Sequence, residues 1–198
     1  MSSSFAHPAN MPGCQDLPHA TSLACMDHLT RLAQPSARFA GDRGGADALT
    51  RDAIARVADN VGYLRAVVAL CTTRLLMPIV ASGDETMEQD PDRHAEMAAV
   101  TIGDEDGSAL LAFTGLDSME AWQAGARPIL CHLDELAATV FEAGANQLLL
   151  DAAGPAPFVM AGELLERLAD GFRLVEFEDG DFAWVKPAPP GGQAPAGG

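Results

Sequence analysis

A chain of 198 residues, 48% of them hydrophobic, fits one domain with tails, or at most two small ones, and can bury a sizeable core. Its net charge of −16 and its one lysine, Lys186, offer no basic footprint, which argues against a nucleic-acid duplex or an anionic membrane surface as partner. Four cysteines at 14, 25, 71 and 131 are irregularly spaced, so no disulfide framework is expected. Aromatic residues make up 6%, and the core is expected to be aliphatic.

Residues 1–45 read as a disordered tail, broken by Pro8, Pro12, Gly13, Pro18, Pro35 and Gly44-Gly45. This tail holds Cys14, His19, Cys25 and His28, which are the right ligand types for zinc. Their spacing matches no common knuckle, and no metal is expected. The start shows no charged stretch followed by an apolar run, so no secretory signal is expected.

Asp47 or Thr50 can cap the first helix, with Asp52 in its first turn. Ile54, Val57, Val61, Leu64 and Val68 recur at steps of three and four, which predicts one amphipathic helix packed over a sheet. Self-association through this helix is the alternative, so a homo-oligomer stays open. The run Arg74–Ala81 reads as a strand whose Pro78 calls for an edge, a strand end or a bulge. It is far too short to span a bilayer, and a soluble cytoplasmic protein is expected.

Asp84, Glu85, Glu88, Asp90 and Asp92 make the next segment too polar to pack, and it reads as a mobile loop. The alternating ligands and glycine of a calcium loop are missing. Met97–Ile102 and Ala109–Thr114 flank an Asp/Gly turn, which predicts a hairpin. A short helical turn follows over Asp117–Ala124, then a strand over Pro128–Cys131. A helix starts at His132 with Leu133, Leu136, Val140 and Phe141 on its inner side, and Gly144 ends it. Gln147–Asp151 reads as a buried strand, and Gly154-Pro155 turns into a strand over Pro157–Met160. A last amphipathic helix over Ala161–Ala169 stops at Asp170-Gly171. Asp179-Gly180 joins a final hairpin, and residues 187–198 form a flexible Pro/Gly tail. The fold class is α/β (α+β): a single mixed sheet with packed helices over residues 46–186, preceded by an amphipathic helix.

Reactive side chains are sparse. Cys131-His132 with Asp134 offers a nucleophile and a base, but strand neighbours point to opposite faces, so the two should not meet. His94 and Asp151 can join them only through the fold. Glycine at the Gly154-Pro155 turn allows close backbone approach, which suits a small ligand or simply the turn itself. No phosphate-binding glycine motif is present. No catalytic residue and no cofactor is expected.

Several stretches, taken in order, resemble a known family. They are Arg74-Leu-Leu-Met-Pro-Ile-Val-Ala81, Glu96-Met-Ala-Ala-Val-Thr101, Phe113-Thr-Gly-Leu-Asp-Ser-Met-Glu-Ala-Trp122, Ala126-Arg-Pro128 and Gly144-Ala-Asn-Gln-Leu-Leu-Leu-Asp-Ala-Ala-Gly-Pro155. Together they look like the N-terminal domain of the SseB family, its actinobacterial members in particular, over about residues 48–172. The family tends to show Phe-Thr-Ser where this chain has Phe113-Thr114-Gly115, and Asp-Pro-Ala-Gly-Pro where it has Asp151-Ala-Ala-Gly-Pro155. A basic residue and Asp usual before the Met-Ala run are replaced by Arg93-His94-Ala95-Glu96. The resemblance implies a fold and no settled biochemical activity. The expected role is therefore a non-enzymatic protein-interaction or regulatory domain. Its contact surface is expected at Asp84, Glu85, Glu88, Asp90, Asp92, Phe113, Thr114, Gly154 and Pro155, with a small-ligand binder or a cysteine-dependent hydrolase or transferase as alternatives.

Overall fold

A computed structural model describes residues 31–34, 37–82, 96–104 and 107–188. Cys14, His19, Cys25, His28 and the acidic stretch from Asp84 to Asp92 lie outside the described residues. Helix α1 spans Ala48–Ala55 and is capped by Asp47, whose carboxylate accepts from the Thr50 N–H and hydroxyl at 2.7 Å each. The periodicity predicts one helix through Val68, but the chain breaks after Arg56. Asp59 takes an extended backbone and caps a second helix, α2 (Asn60–Leu70), by accepting from the Gly62 N–H at 2.7 Å. A side chain that caps from outside competes with the helix it would otherwise sit in. The break turns the apolar stripe. Ala66, Val67 and Leu70 become fully buried, while Val61 is 44% exposed.

Strand β1 (Leu75–Ser82) is the centre of a three-stranded sheet, between β2 (Glu96–Ala99) and β5 (Arg127–Cys131). Pro78 thus sits in a central strand, against the expectation of an edge or a bulge. It lies opposite Pro128 of β5. Alternate pairs in an antiparallel ladder exchange no hydrogen bonds, so two facing prolines cost the ladder nothing. On its other flank β1 changes neighbour at the same point. Leu76 exchanges two backbone bonds with Phe113 at 2.8 Å each, and pairing with β2 begins at Ile79. The missing N–H of Pro78 falls in the gap between them.

The second sheet runs β3-β4-β6-β7, with β3 at Thr101–Asp104, β4 at Gly107–Ala112, β6 at Gln147–Leu150 and β7 at Phe158–Ala161. Strands β3 and β4 make a hairpin, but the expected first arm Met97–Ile102 is split: Met97–Ala99 belong to β2 and pair with β1, and the hairpin proper starts at Thr101. Strand β6 lies parallel to β4, and β7 is antiparallel to β6. Two more strands, β8 (Arg173–Glu176) and β9 (Phe182–Val185), form the last hairpin. The mixed α/β class stands, with its strands divided among three sheets rather than gathered in one. The first two are joined by the Leu76–Phe113 bridge and by the stretch from Glu96 to Asp104, in which the Val100 carbonyl accepts from Leu111 N.

Three helices complete the unit: α3 (Leu116–Trp122), α4 (Leu133–Glu142) and α5 (Gly162–Ala169). Gly144, at φ +72, ends α4 as predicted. Leu133, Leu136 and Val140 are buried, but Phe141 is 43% exposed, so the inner stripe of α4 is narrower than expected. Strand alternation sorts the core. Leu110 and Ala112 of β4 face the main cluster with Leu70, Leu75, Leu136, Leu148 and Leu150. Leu111 and Phe113 face a smaller one with Leu76 and Met119. Each buried leucine contributes roughly 1.5–3 kcal/mol of apolar burial, which holds β4 and β6 side by side and fixes what lies at their ends.

Candidate functional site

Parallel β4 and β6 end together, and the carboxyl ends of parallel strands are where α/β sheets gather ligands. The Asp151 N–H continues the ladder by donating to the Ala112 carbonyl at 3.0 Å. Asp151 then turns with φ +50, a left-handed backbone that aspartate tolerates better than most side chains. The residue is buried, and its carboxylate meets the chain leaving β4. Oδ1 accepts from the Thr114 N–H at 2.9 Å and from the Ser118 hydroxyl at 2.5 Å, and Oδ2 from the Thr114 hydroxyl at 2.6 Å. The Ser118 hydroxyl proton is shared with the Gly115 carbonyl, 2.9 Å away.

Arg51 reaches in from α1. Its Nε donates to Thr114 Oγ1 at 2.9 Å, and one Nη to Ser118 Oγ at 3.3 Å. Two further bonds at 2.5 and 2.6 Å clamp the Asp117 carboxylate in bidentate fashion. That donation holds the Asp117 carboxyl below its ordinary value of 3.8. Both hydroxyls therefore stand between Arg51 and Asp151.

Arg74 secures the other side. It donates to Asp42 at 2.8 Å, to the Thr114 carbonyl at 2.8 Å, and to the Gly45 carbonyl. The bond from Arg74 likewise holds Asp42 below 3.8. The segment before α1 is thereby drawn over the end of β4. There the Leu116 N–H donates to the Gly44 carbonyl at 2.8 Å. A Cβ on Gly115 would sit 2.9 Å from Ala46 and 2.7 Å from Asp117, so glycine here permits that close approach.

The loop after β6 closes the site. Gly154 N donates to the Asp151 carbonyl at 2.7 Å, and a Cβ there would come within 2.9 Å of Asp151 Cβ. Between this loop and α1 lies a groove of about 370 Å³ lined by Arg51, Asp52, Ile54, Ala55, Asp151, Pro155 and Ala156.

Of the residues singled out from the sequence, Thr114, Gly154 and Pro155 come together here. Phe113 does not belong to a contact surface. It is fully buried, with its ring 5.5 Å from that of Trp122, because alternation sends it to the core and Thr114 to the site. Sequence reasoning missed Arg51, Asp117 and Ser118, and gave Asp151 only a remote chance of joining Cys131. The one local signal was an aspartate closing an apolar strand.

The alternative reactive pair is absent. Cys131 is fully buried, and burial, followed by the charges of Glu135 and Asp134, pushes its thiol far up. Its sulfur approaches only the Leu75 and Ile129 carbonyls, at 3.8 and 3.9 Å. The His132 ring lies beside that of Phe39 at 5.1 Å, and the His132 backbone N–H donates to the Glu135 carboxylate at 2.8 Å. Among the described residues no group of three or more histidine, cysteine, aspartate or glutamate side chains is arranged to hold a metal. Among the same residues no helix is long and apolar enough to cross a membrane.

These features define a mixed α/β domain whose polar groups converge at the ends of two parallel strands. Residues 51–167 match the model of the SseB protein N-terminal domain, so the chain belongs to the SseB family. Comparison with curated proteins and with solved structures finds no match.

Proposed function

We propose that this SseB-family domain is a non-enzymatic binding domain that works in the cytoplasm and receives another protein at the groove between α1 and the β6–β7 loop. The observation that carries the reading is the closure of the polar cluster beside that groove. Asp151, Thr114, Ser118, Arg51 and Asp117 spend their hydrogen bonds on one another. A general base or nucleophile needs a substrate proton or carbon within reach, and a mutually satisfied set presents surface instead. Burial of both described cysteines weighs against thiol chemistry. The net charge of −16 weighs against a nucleic-acid partner.

The size of the groove supports a second reading, a small ligand, since about 370 Å³ lies in the range of small-molecule sites. Affinity purification of the tagged protein from its own cells, beside an Ala156→Leu variant whose longer side chain fills the groove, tests the first. A stoichiometric protein kept by the native chain and lost by the variant is the expected result. Equal recovery by both would remove the groove from the function.

A further inference from the structure

Strand β9 leaves a sheet edge open. The Phe177 N–H donates to the Asp181 carbonyl at 2.8 Å, which fixes the bonding phase of the last hairpin. Asp181, Ala183 and Val185 therefore turn their backbone groups toward β8. Phe182 and Trp184 turn theirs the other way, and among the described residues nothing bonds to their N–H and carbonyl groups. The partner strand is better covered: β8 packs on α2, and Arg65 of α2 donates to Glu176 at 2.7 and 2.9 Å. Strand β7, at the end of its own sheet, has the Val159 carbonyl taken by the Tyr63 hydroxyl at 2.9 Å. In β9 no residue is buried, and Phe182–Val185 carry no charge. Proteins blunt exposed edges with charge, proline or a covering element, and an edge without them is a template for another strand.

The hairpin is also electrically polar along its length. Arg173 and Lys186 stand at its open end, and Glu178, Asp179 and Asp181 at its turn. None of these side chains makes an ion pair among the described residues, and Lys186 rests on the Phe172 ring at 5.0 Å. An antiparallel copy of β9 brings the basic end of one hairpin to the acidic end of the other, once on each side of a two-fold axis. With the axis at Ala183, Phe182 stands opposite Trp184 of the second copy, where the backbone groups of both point across the gap. Lys186 then arrives opposite Gly180, between Asp179 and Asp181. A parallel copy would set like charges side by side.

We propose that the free edge of β9 pairs antiparallel with β9 of a second copy, joining the two hairpins into one sheet and two chains into a two-fold dimer. Main-chain bonds supply the attraction and the charged ends fix the direction. This interface uses no residue that lines the groove beside α1, so it stands or falls apart from the binding-domain reading.

The test is sedimentation of the full chain from micromolar to millimolar concentration, with amide hydrogen exchange followed by NMR. A monomer–dimer equilibrium is expected. The Phe182 and Trp184 amides should gain protection in step with the dimer fraction, because their N–H groups find partners only across the new ladder. Lys186→Glu sets acidic groups against the acidic turn at both ends and should weaken the dimer about tenfold. Glu178→Lys combined with Asp181→Lys should do the same by making both ends basic. Mixed, the two variants should recover native affinity as a heterodimer, a result that misfolding of either could not produce. A chain that stays monomeric throughout would overturn the proposal, as would a dimer whose Phe182 and Trp184 amides exchange as fast as in the monomer. Variants that self-associate as tightly as the native chain, or a mixture as weak as its parts, would overturn it too.

Discussion

Thr114 is held by two arginines, one at each end. Arg74 donates to its carbonyl oxygen and Arg51 to its hydroxyl, at 2.8 and 2.9 Å. The rest of their bonds differ. Arg74 is 11% exposed and also spends donors on the Gly45 carbonyl and Asp42, so it decides where the chain before α1 runs. Arg51 is 28% exposed, lines the groove, and bonds only side chains, so it decides how Thr114, Ser118 and Asp117 are turned. A guanidinium bound to main chain is a structural tie. One bound to side chains beside an opening shapes a surface that a ligand meets.

The comparison breaks or sharpens on a graded set of variants. Arg74→Met strands two carbonyls and the Asp42 carboxylate, and should cost about 3 kcal/mol in urea denaturation. Thr114→Val removes the hydroxyl between Arg51 and Asp151 and should cost about 2 kcal/mol by the same method. Arg51→Met should cost only about 1 kcal/mol, because its Asp117 partner is 65% exposed. If Arg51→Met proves as destabilising as Arg74→Met, the distinction between tie and surface is lost.

Acid provides a smaller test. Asp42 and Asp117 are held below the ordinary 3.8 by their arginines, so each pair contributes in full above about pH 4. The contribution fades as pH falls through the lower native value. Asp42→Asn should flatten the acid limb of a stability–pH curve more than Asp117→Asn, because the Asp42 side chain is 23% exposed and that of Asp117 is 65%. The smallest effect is none at all. Cys131 should resist alkylation in the native chain at neutral pH and react only in denaturant, read by mass spectrometry.

Local signals in the chain were legible wherever a single residue does its work on near neighbours. The Asp47 cap, the β3–β4 hairpin, the Gly144 stop and the Asp179-Gly180 turn all follow from backbone chemistry within a few positions. The helix break at Asp59 was hidden because Ile54, Val57 and Val61 keep helical spacing straight across it. Pro78 misled for a different reason. Whether a missing N–H matters depends on what lies beside the strand, and Pro128 opposite with a change of neighbour on the other flank made it harmless.

The sequence by itself determined the α/β class, the family resemblance and most of the elements, because burial periodicity and turn chemistry are written in consecutive residues. Only the tertiary structure decided the site. Arg51 and Thr114 are 63 positions apart, and Thr114 and Asp151 are 37 apart. Periodicity records which face of an element is buried and says nothing of which strand will lie next to it. The parallel pairing of β4 with β6 alone carries Asp151 to Thr114 and opens the groove beside α1.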